Sequence, residues 1–277
     1  MRHIDKDLND IPNSLKPATK YYFADGKIPK SAEKTHLVRV EMSKTGIYSE
    51  DADALYKSKD IKEKLESIYY HKCAYCEQKV EAYHVEHYRP KNGYHNKDHQ
   101  QHKGYPYFAL SWDNLLLSCT TCNSKKGSKF DIKGTRVNLS IVSDFNGDWE
   151  NYNSLSLISD QKEEPLLLNP ERCNPDLHLN FHKDGSVVPK TPQGSYTIET
   201  CDLNRTYLRD NRRKIIDEFK KRIESIIISD SENLIKRLEE EISFFMKNSL
   251  NNNLEYTLFR KQSLHWLNEI ISEIVNS

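Results

Sequence analysis

The sequence predicts an α+β fold in which a small thiol-tied core is flanked by mainly helical segments. Three observations predict it. Two Cys-x-x-Cys pairs, Cys73/Cys76 and Cys119/Cys122, stand in a stretch dense in Cys, His, Asn, Lys and aromatic residues. Short extended patterns lie between and beyond the pairs, beginning with His84-Val85-Glu86-His87, where Val85 faces inward. From Asp202 onward, apolar residues recur every three or four positions, the period of an amphipathic helix.

The 277 residues suffice for one large or two small domains. Residues 1–50 carry Pro12, Pro17 and Pro29 among short polar and apolar stretches, and read as an irregular arm. Residues 51–136 form the expected core. It opens with a helix from Asp51 to Tyr70, whose apolar positions Leu55, Tyr56, Ile61, Leu65, Ile68 and Tyr69 follow helical spacing. Within it, residues 93–104 read as an exposed loop; its His95, His99 and His102 have no regular ligand spacing. Residues 137–201 read as an irregular segment with β-hairpin character. Asp184-Gly185 lies between two extended runs from Phe181 to Val188, and Tyr196-Thr197-Ile198 suggests a further strand. Residues 202–277 read as a helical bundle, with Asp202 as first cap, a break at Ser229-Asp230-Ser231, and a third helix from Tyr256 to about Val275.

Composition narrows the function classes. The chain is 36% hydrophobic and 30% charged, with 41 basic residues balanced by 41 acidic ones. A net charge of zero argues against a protein that coats nucleic acid through bulk positive charge, but it leaves a locally charged site open. Lys125, Lys126, Lys129, Lys133 and Arg136 against the single acid Asp131 can face phosphates, although as a bare charge pattern they read as a solvated loop. No apolar run is long enough to span a bilayer and the first ten residues lack a secretory apolar region, so a cytoplasmic location is expected.

In a reducing compartment, four of the six cysteines in two Cys-x-x-Cys pairs read as metal ligands rather than disulfides. Four thiolates at Cys73, Cys76, Cys119 and Cys122 suit a tetrahedral structural zinc with no open position. Cys173 and Cys201 read as ordinary buried thiols.

The chemistry is expected beside that knuckle. Glu86-His87 places a carboxylate next to an imidazole, and Asn123 follows Cys122 where a helix leaves the knuckle. Phosphodiester hydrolysis needs a base, a charge sink and help for the leaving oxygen. His87 can take a proton near neutral pH. Glu86 and Asn123 offer hard oxygens suited to Mg²⁺ or Mn²⁺. Asn114 can hold the His87 ring or simply close a loop. Arg89, Lys91, Lys125 and Lys126 can contact phosphates. His84, on the same strand face as Glu86, ranks below His87 as the base, and Trp112 reads as core.

The order Cys-x-x-Cys, Glu86-His87-x-x-Pro90, Asn114-Leu115-x-x-x-Cys119-x-x-Cys122-Asn123-x-x-Lys126 resembles the HNH endonucleases. That resemblance implies a ββα-metal core, His87 as general base, Asn114 as the middle Asn and Asn123 as a metal ligand. The family usually has Asp or His where Glu86 stands, and Asn123 replaces the final His, which leaves the preferred metal open. A narrower resemblance adds Leu166-Leu167-Leu168-Asn169-Pro170, Phe181 to Pro189 and Asp202-Leu203-Asn204-Arg205, and is to the PtuB-type HNH proteins. It implies an effector of Septu or retron anti-phage defence that cuts nucleic acid, DNA before RNA. Its implied partners are a PtuA-type ABC/SMC-like ATPase and, in retrons, a reverse transcriptase with its msDNA. The reading from a different class is a zinc-knuckle module that binds nucleic acid or a partner without cutting.

Overall fold

A computed structural model describes residues 1–18, 26–79, 81–95, 101–102, 104–137, 151–229 and 233–275. Its centre is an antiparallel pair, β1 (Tyr83–His87) and β4 (Leu115–Cys119), with Tyr83 opposite Cys119 and His87 opposite Leu115. β4 is buried at all five positions. Helix α4 (Thr120–Lys126) begins directly after it, with Cys119 as N-cap accepting the Cys122 amide. The connection from β1 to β4 contains the two-residue strands β2 (Tyr94–His95) and β3 (Gln101–His102). His99 lies outside the described residues.

The arm contains more structure than its sequence suggests. α1 (Lys30–Thr45) buries Ala32, Thr35, Val38, Arg39 and Met42. That spacing is helical, but two of the five residues are polar, so a search for apolar periodicity passes over it. Inside, one η nitrogen of Arg39 donates to the Leu110 carbonyl and to Asn153 Oδ1.

The helix expected over residues 51–70 is two: α2 (Ala52–Tyr56) and α3 (Lys59–Ile68). Ser58 between them is extended, and its hydroxyl donates to Asp60, which also takes the Ser14 amide and hydroxyl. A serine that bonds its neighbourhood outside the helix ladder breaks the run.

The described residues of 137–201 hold more helix than strand. α5 (Leu155–Glu163) follows a 3-10 turn, and α6 (Pro192–Thr200) replaces the strand expected at Tyr196-Thr197-Ile198. Thr191 caps the Gly194 amide and Pro192 opens α6, a start signal that outweighs three β-prone residues. The Asp-Gly hairpin forms as β5 (Leu179–Phe181) and β6 (Val187–Pro189). Gly185 sits at φ +80°, where a Cβ would meet the Arg209 carbonyl at 2.1 Å.

The last segment is helical: α7 (Thr206–Ile228), α8 (Leu234–Ser249), α9 (Thr257–Ser263) and α10 (Leu267–Val275). Asp202 is not the cap of the first of these; it lies at φ +49° and the helix starts after Arg205. The third expected helix is interrupted by a 3-10 turn at Leu264–Trp266. No helix among the described residues is long and apolar enough to cross a membrane.

Candidate active site and metal centre

The four cysteines come together from three elements. Cys73 and Cys76 lie in the turn after α3, Cys119 ends β4, and Cys122 is in the first turn of α4. All four are buried, and their sulfurs lie within 4.8 Å of one another. A tetrahedral ion with metal–sulfur bonds of about 2.3 Å sets sulfurs about 3.8 Å apart. The Cys76–Cys119 separation is 3.8 Å. The cluster is therefore shaped to bind a metal such as zinc. Burial opposes ionisation of Cys73, but hydrogen bonds from Cys119, Cys122 and Cys76 hold it well below the usual thiol value. Both η nitrogens of Arg205 approach Cys122 Sγ at 3.6 Å, placing a cation against a cluster that turns anionic on metallation. Sequence reasoning gave Arg205 no role here; nothing in its spacing points to the knuckle, 83 residues away. Of the remaining cysteines, Cys201 is fully buried and Cys173 is partly exposed, its thiol donating to the Asn169 carbonyl.

A cleft of about 350 Å³ opens beside the knuckle. Its walls include Glu86, His87, Asn123 and Lys126, together with Tyr56, Lys57, Lys62 and Lys91. The strand supplies Glu86 and His87, and the helix supplies Asn123 and Lys126. The knuckle, which joins β4 to α4 and to the turn after α3, sets the distance between them.

His87 is buried. Its Nε2 lies 2.9 Å from the Ala109 carbonyl. A carbonyl only accepts, so Nε2 carries the hydrogen and the Nδ1 lone pair of the neutral ring is left to take a proton. Tyr56 packs edge-on against the ring at 4.5 Å. Burial pushes the imidazole down to about 3, against the opposing Ala109 bond, so the ring is neutral at physiological pH.

Glu86 is also buried. Its Oε1 lies 2.6 Å from Lys126 Nζ, yet no donor reaches that oxygen with good hydrogen-bond geometry. Burial raises the carboxyl above its ordinary value, with Lys126 opposing. Asn123 is half-buried on the cleft wall. An under-satisfied buried carboxylate oxygen in a cleft that an asparagine also lines is a donor set that fits a hard divalent cation.

Several expected roles change. Arg89 is fully buried and touches no solvent-facing surface. It donates to Glu163 Oε2, to the Ser156 carbonyl and hydroxyl, and to Asp160 Oδ1, each at 2.7 Å, so it clamps α5 to the core rather than meeting phosphate. The hydrogen bonds of Asn114 go to groups other than the His87 ring. Its Oδ1 takes the Arg89 amide, and its Nδ2 donates to the carbonyls of Arg89 and Phe108. It thus ties the chain just after His87 to the loop that presents Ala109, acting on the imidazole through the backbone. Lys91 bonds Asp53 Oδ1 and the Tyr48 and Tyr56 hydroxyls at the cleft rim. Lys125 pairs with Asp202 at 2.9 Å on the surface. Lys126, expected among the surface cations, is buried and also donates to the His87 carbonyl at 2.8 Å. Its inward position was legible: it stands four residues after Cys122, on the same face of α4. The basic run 125–136 is accordingly no continuous phosphate-facing strip. Lys129 donates to the Lys125 carbonyl and Arg136 to the Tyr105 hydroxyl. His84 is exposed, and its Nε2 lies 3.1 Å from Thr120 Oγ1. Trp112 is core.

No family model matches the chain, and no solved structure does. Among curated proteins it is similar to the Septu protein PtuB of Bacillus mycoides (strain KBAB4), 32% identical over 168 residues that cover 58% of this chain and 52% of that protein. It is 28% identical over 180 residues to the Septu protein PtuB of Bacillus thuringiensis, covering 64% of this chain and 62% of that one. A stretch of 194 residues, 68% of the chain, is 28% identical to the Septu protein PtuA of Bacillus mycoides, of which it covers 25%. The chain thus spans about half the length of the first of these relatives, and its likeness is to proteins of the Septu system.

Proposed function

We propose that the chain is a metal-dependent HNH endonuclease that hydrolyses phosphodiester bonds, DNA before RNA, as the effector of an anti-phage defence system. The observation that carries this reading is the convergence of Glu86, His87 and Asn123 on one cleft, with His87 held in the tautomer that leaves Nδ1 basic. Likeness to Septu proteins supports the defence setting and a PtuA-type ATPase as partner. A retron reverse transcriptase with its msDNA is the corresponding partner in the other setting that the sequence resemblance implies.

In this reading Cys73, Cys76, Cys119 and Cys122 hold a structural Zn²⁺, which fixes strand against helix. Glu86 and Asn123 would hold Mg²⁺ or Mn²⁺, which when bound would supply charge neutralisation for the phosphorane and the departing 3′ oxygen. His87 Nδ1 takes a proton from a water in the cleft as the water oxygen bonds to phosphorus. The P–O3′ bond breaks, the 3′ oxygen collects a proton from solvent, and the products carry 5′-phosphate and 3′-hydroxyl ends. Ala109 and Asn114 keep the imidazole aimed. Tyr56 packs against its face and limits its rotation.

The test is nicking of plasmid DNA, with RNA in parallel, by the zinc-loaded chain in Mg²⁺ or Mn²⁺, with and without a PtuA-type ATPase. Wild type is expected to cut and His87→Ala to lose at least about a hundredfold, the scale of general-base catalysis. Equal cutting by a folded, zinc-loaded His87→Ala protein would remove His87 as base. Binding of nucleic acid without any cutting would favour the knuckle as a recognition module.

A further inference from the structure

The geometry points to a cleft in which the divalent cation and the phosphodiester bind cooperatively, with Lys126 as the residue that couples them. This inference rests on the nuclease reading of the same cleft. Among the described residues lining it, Glu86 is the only carboxylate, set against Lys57, Lys62, Lys91 and Lys126. Asp53, just outside the lining, neutralises part of that excess by pairing with Lys57 at 3.2 Å and Lys91 at 2.5 Å. Asn123 adds no charge. A bare divalent cation therefore enters a space that is already positive, whereas a phosphodiester is drawn into it.

Lys126 makes the coupling specific. Its ammonium lies 2.6 Å from Glu86 Oε1, and both side chains are almost wholly removed from water. The carboxylate that would hold the cation is thus already matched by an internal one. The bond from Nζ to the His87 carbonyl holds that ammonium at the strand end. A phosphate oxygen in the cleft offers Lys126 a second anion and adds the negative charge that the protein lacks there. Glu86 Oε1 is then released toward the divalent cation. Coupling of this kind is reciprocal: nucleic acid tightens metal binding by the factor by which metal tightens nucleic-acid binding.

The experiment measures Mn²⁺ binding to the zinc-loaded full chain by electron paramagnetic resonance. His87→Ala is used so that nucleic acid stays intact, and a short DNA duplex or the matching RNA is present or absent. Mn²⁺ bound by nucleic acid alone is subtracted. The Mn²⁺ dissociation constant is expected to fall roughly tenfold or more when nucleic acid is bound, as removing a like charge at contact distance would produce. Lys126→Gln, which keeps a donor for the His87 carbonyl, is expected to tighten Mn²⁺ roughly tenfold in the free protein and to shrink the coupling; Lys126→Arg should behave as wild type. An unchanged Mn²⁺ constant with either nucleic acid overturns the inference, as does a folded Lys126→Gln protein that binds Mn²⁺ no more tightly. The comparison with and without nucleic acid decides by itself should Lys126→Gln not fold. Cutting that depends on Mn²⁺ while the two ligands bind independently removes the coupling and leaves the nuclease reading standing; no Mn²⁺ binding under either condition removes both.

Discussion

The cysteine cluster and the neighbouring cleft share helix α4, and β4, which ends in Cys119, pairs with β1, which carries Glu86 and His87, but different physics holds each together. In the cluster, four identical ligands converge on one point, and every sulfur lies within 4.8 Å of the others. Such a site is closed and symmetric, and its stability would come from a single bound ion. In the cleft, an imidazole, a carboxylate and an ammonium each keep a different protein partner: Ala109 for His87, Lys126 for Glu86, the His87 carbonyl for Lys126. The difference teaches that a closed set of like ligands can stand directly beside polar groups that stay incompletely satisfied. Glu86 Oε1 is the clearest case, a buried oxygen without a well-aligned donor.

The sharpest break in that comparison is loss of the knuckle. Cys119→Ser, or stripping with a thiol-competing chelator, should unfold the core, because a structural zinc contributes on the order of 10 kcal/mol in small domains. Circular dichroism and metal content should fall together. A cleft that survived knuckle loss, with His87 still protected, would break the dependence claimed here.

Next in size is Arg89. Its guanidinium is fully buried against Glu163 and Asp160. Arg89→Met strands those acids and should cost about 3–5 kcal/mol, read as a fall in the chemical-denaturation midpoint. Because Arg89 does not reach solvent, the salt dependence of nucleic-acid binding by the folded variant should keep its slope; a lower slope would restore Arg89 as a phosphate contact.

The pH response of His87 separates the two regions further. Its folded value of about 3 lies below the ordinary 6.5. The unfolded chain therefore binds a proton that the folded ring refuses, so this contribution to stability is fully present above 6.5 and is lost as pH falls toward 3. Thermal unfolding of wild type should drop more steeply than that of His87→Gln across that window. Cleavage should show no inflection at 6.5 from the base itself. A kcat/KM profile with an acid limb there, lost in His87→Gln, would contradict the buried neutral ring.

The smallest effect belongs to Lys125. Its ion pair with Asp202 is half-exposed, and Lys125→Ala should change stability by less than about 1 kcal/mol. A large loss of nucleic-acid affinity in that variant would extend the site beyond the cleft onto the outer face of α4.

The knuckle was legible in the sequence because two Cys-x-x-Cys spacings carry the ligand chemistry in residue type alone. Glu86, His87 and Asn123 were legible as a set because they adjoin those pairs, and the structure places them on one cleft. What the sequence did not disclose were partners distant along the chain. Arg89 looks like any basic residue near a motif; only Glu163, 74 positions on, makes it structural. Asn114 reads equally as a ring holder or as a loop closure until its four bonds to backbone and Ser156 are seen. The same limit hid α1, whose buried face includes Thr35 and Arg39. It also hid α6, where the local Thr191-Pro192 cap decides against the β-prone residues.

The most direct test of the central claim is chemical rescue of the base. His87→Gly should abolish cleavage while keeping zinc and fold. Added imidazole should restore it, with a rate that follows the neutral imidazole fraction and with 5′-phosphate ends as in wild type. Wild-type rates in His87→Gly without imidazole would show that the proton goes elsewhere and would contradict the account.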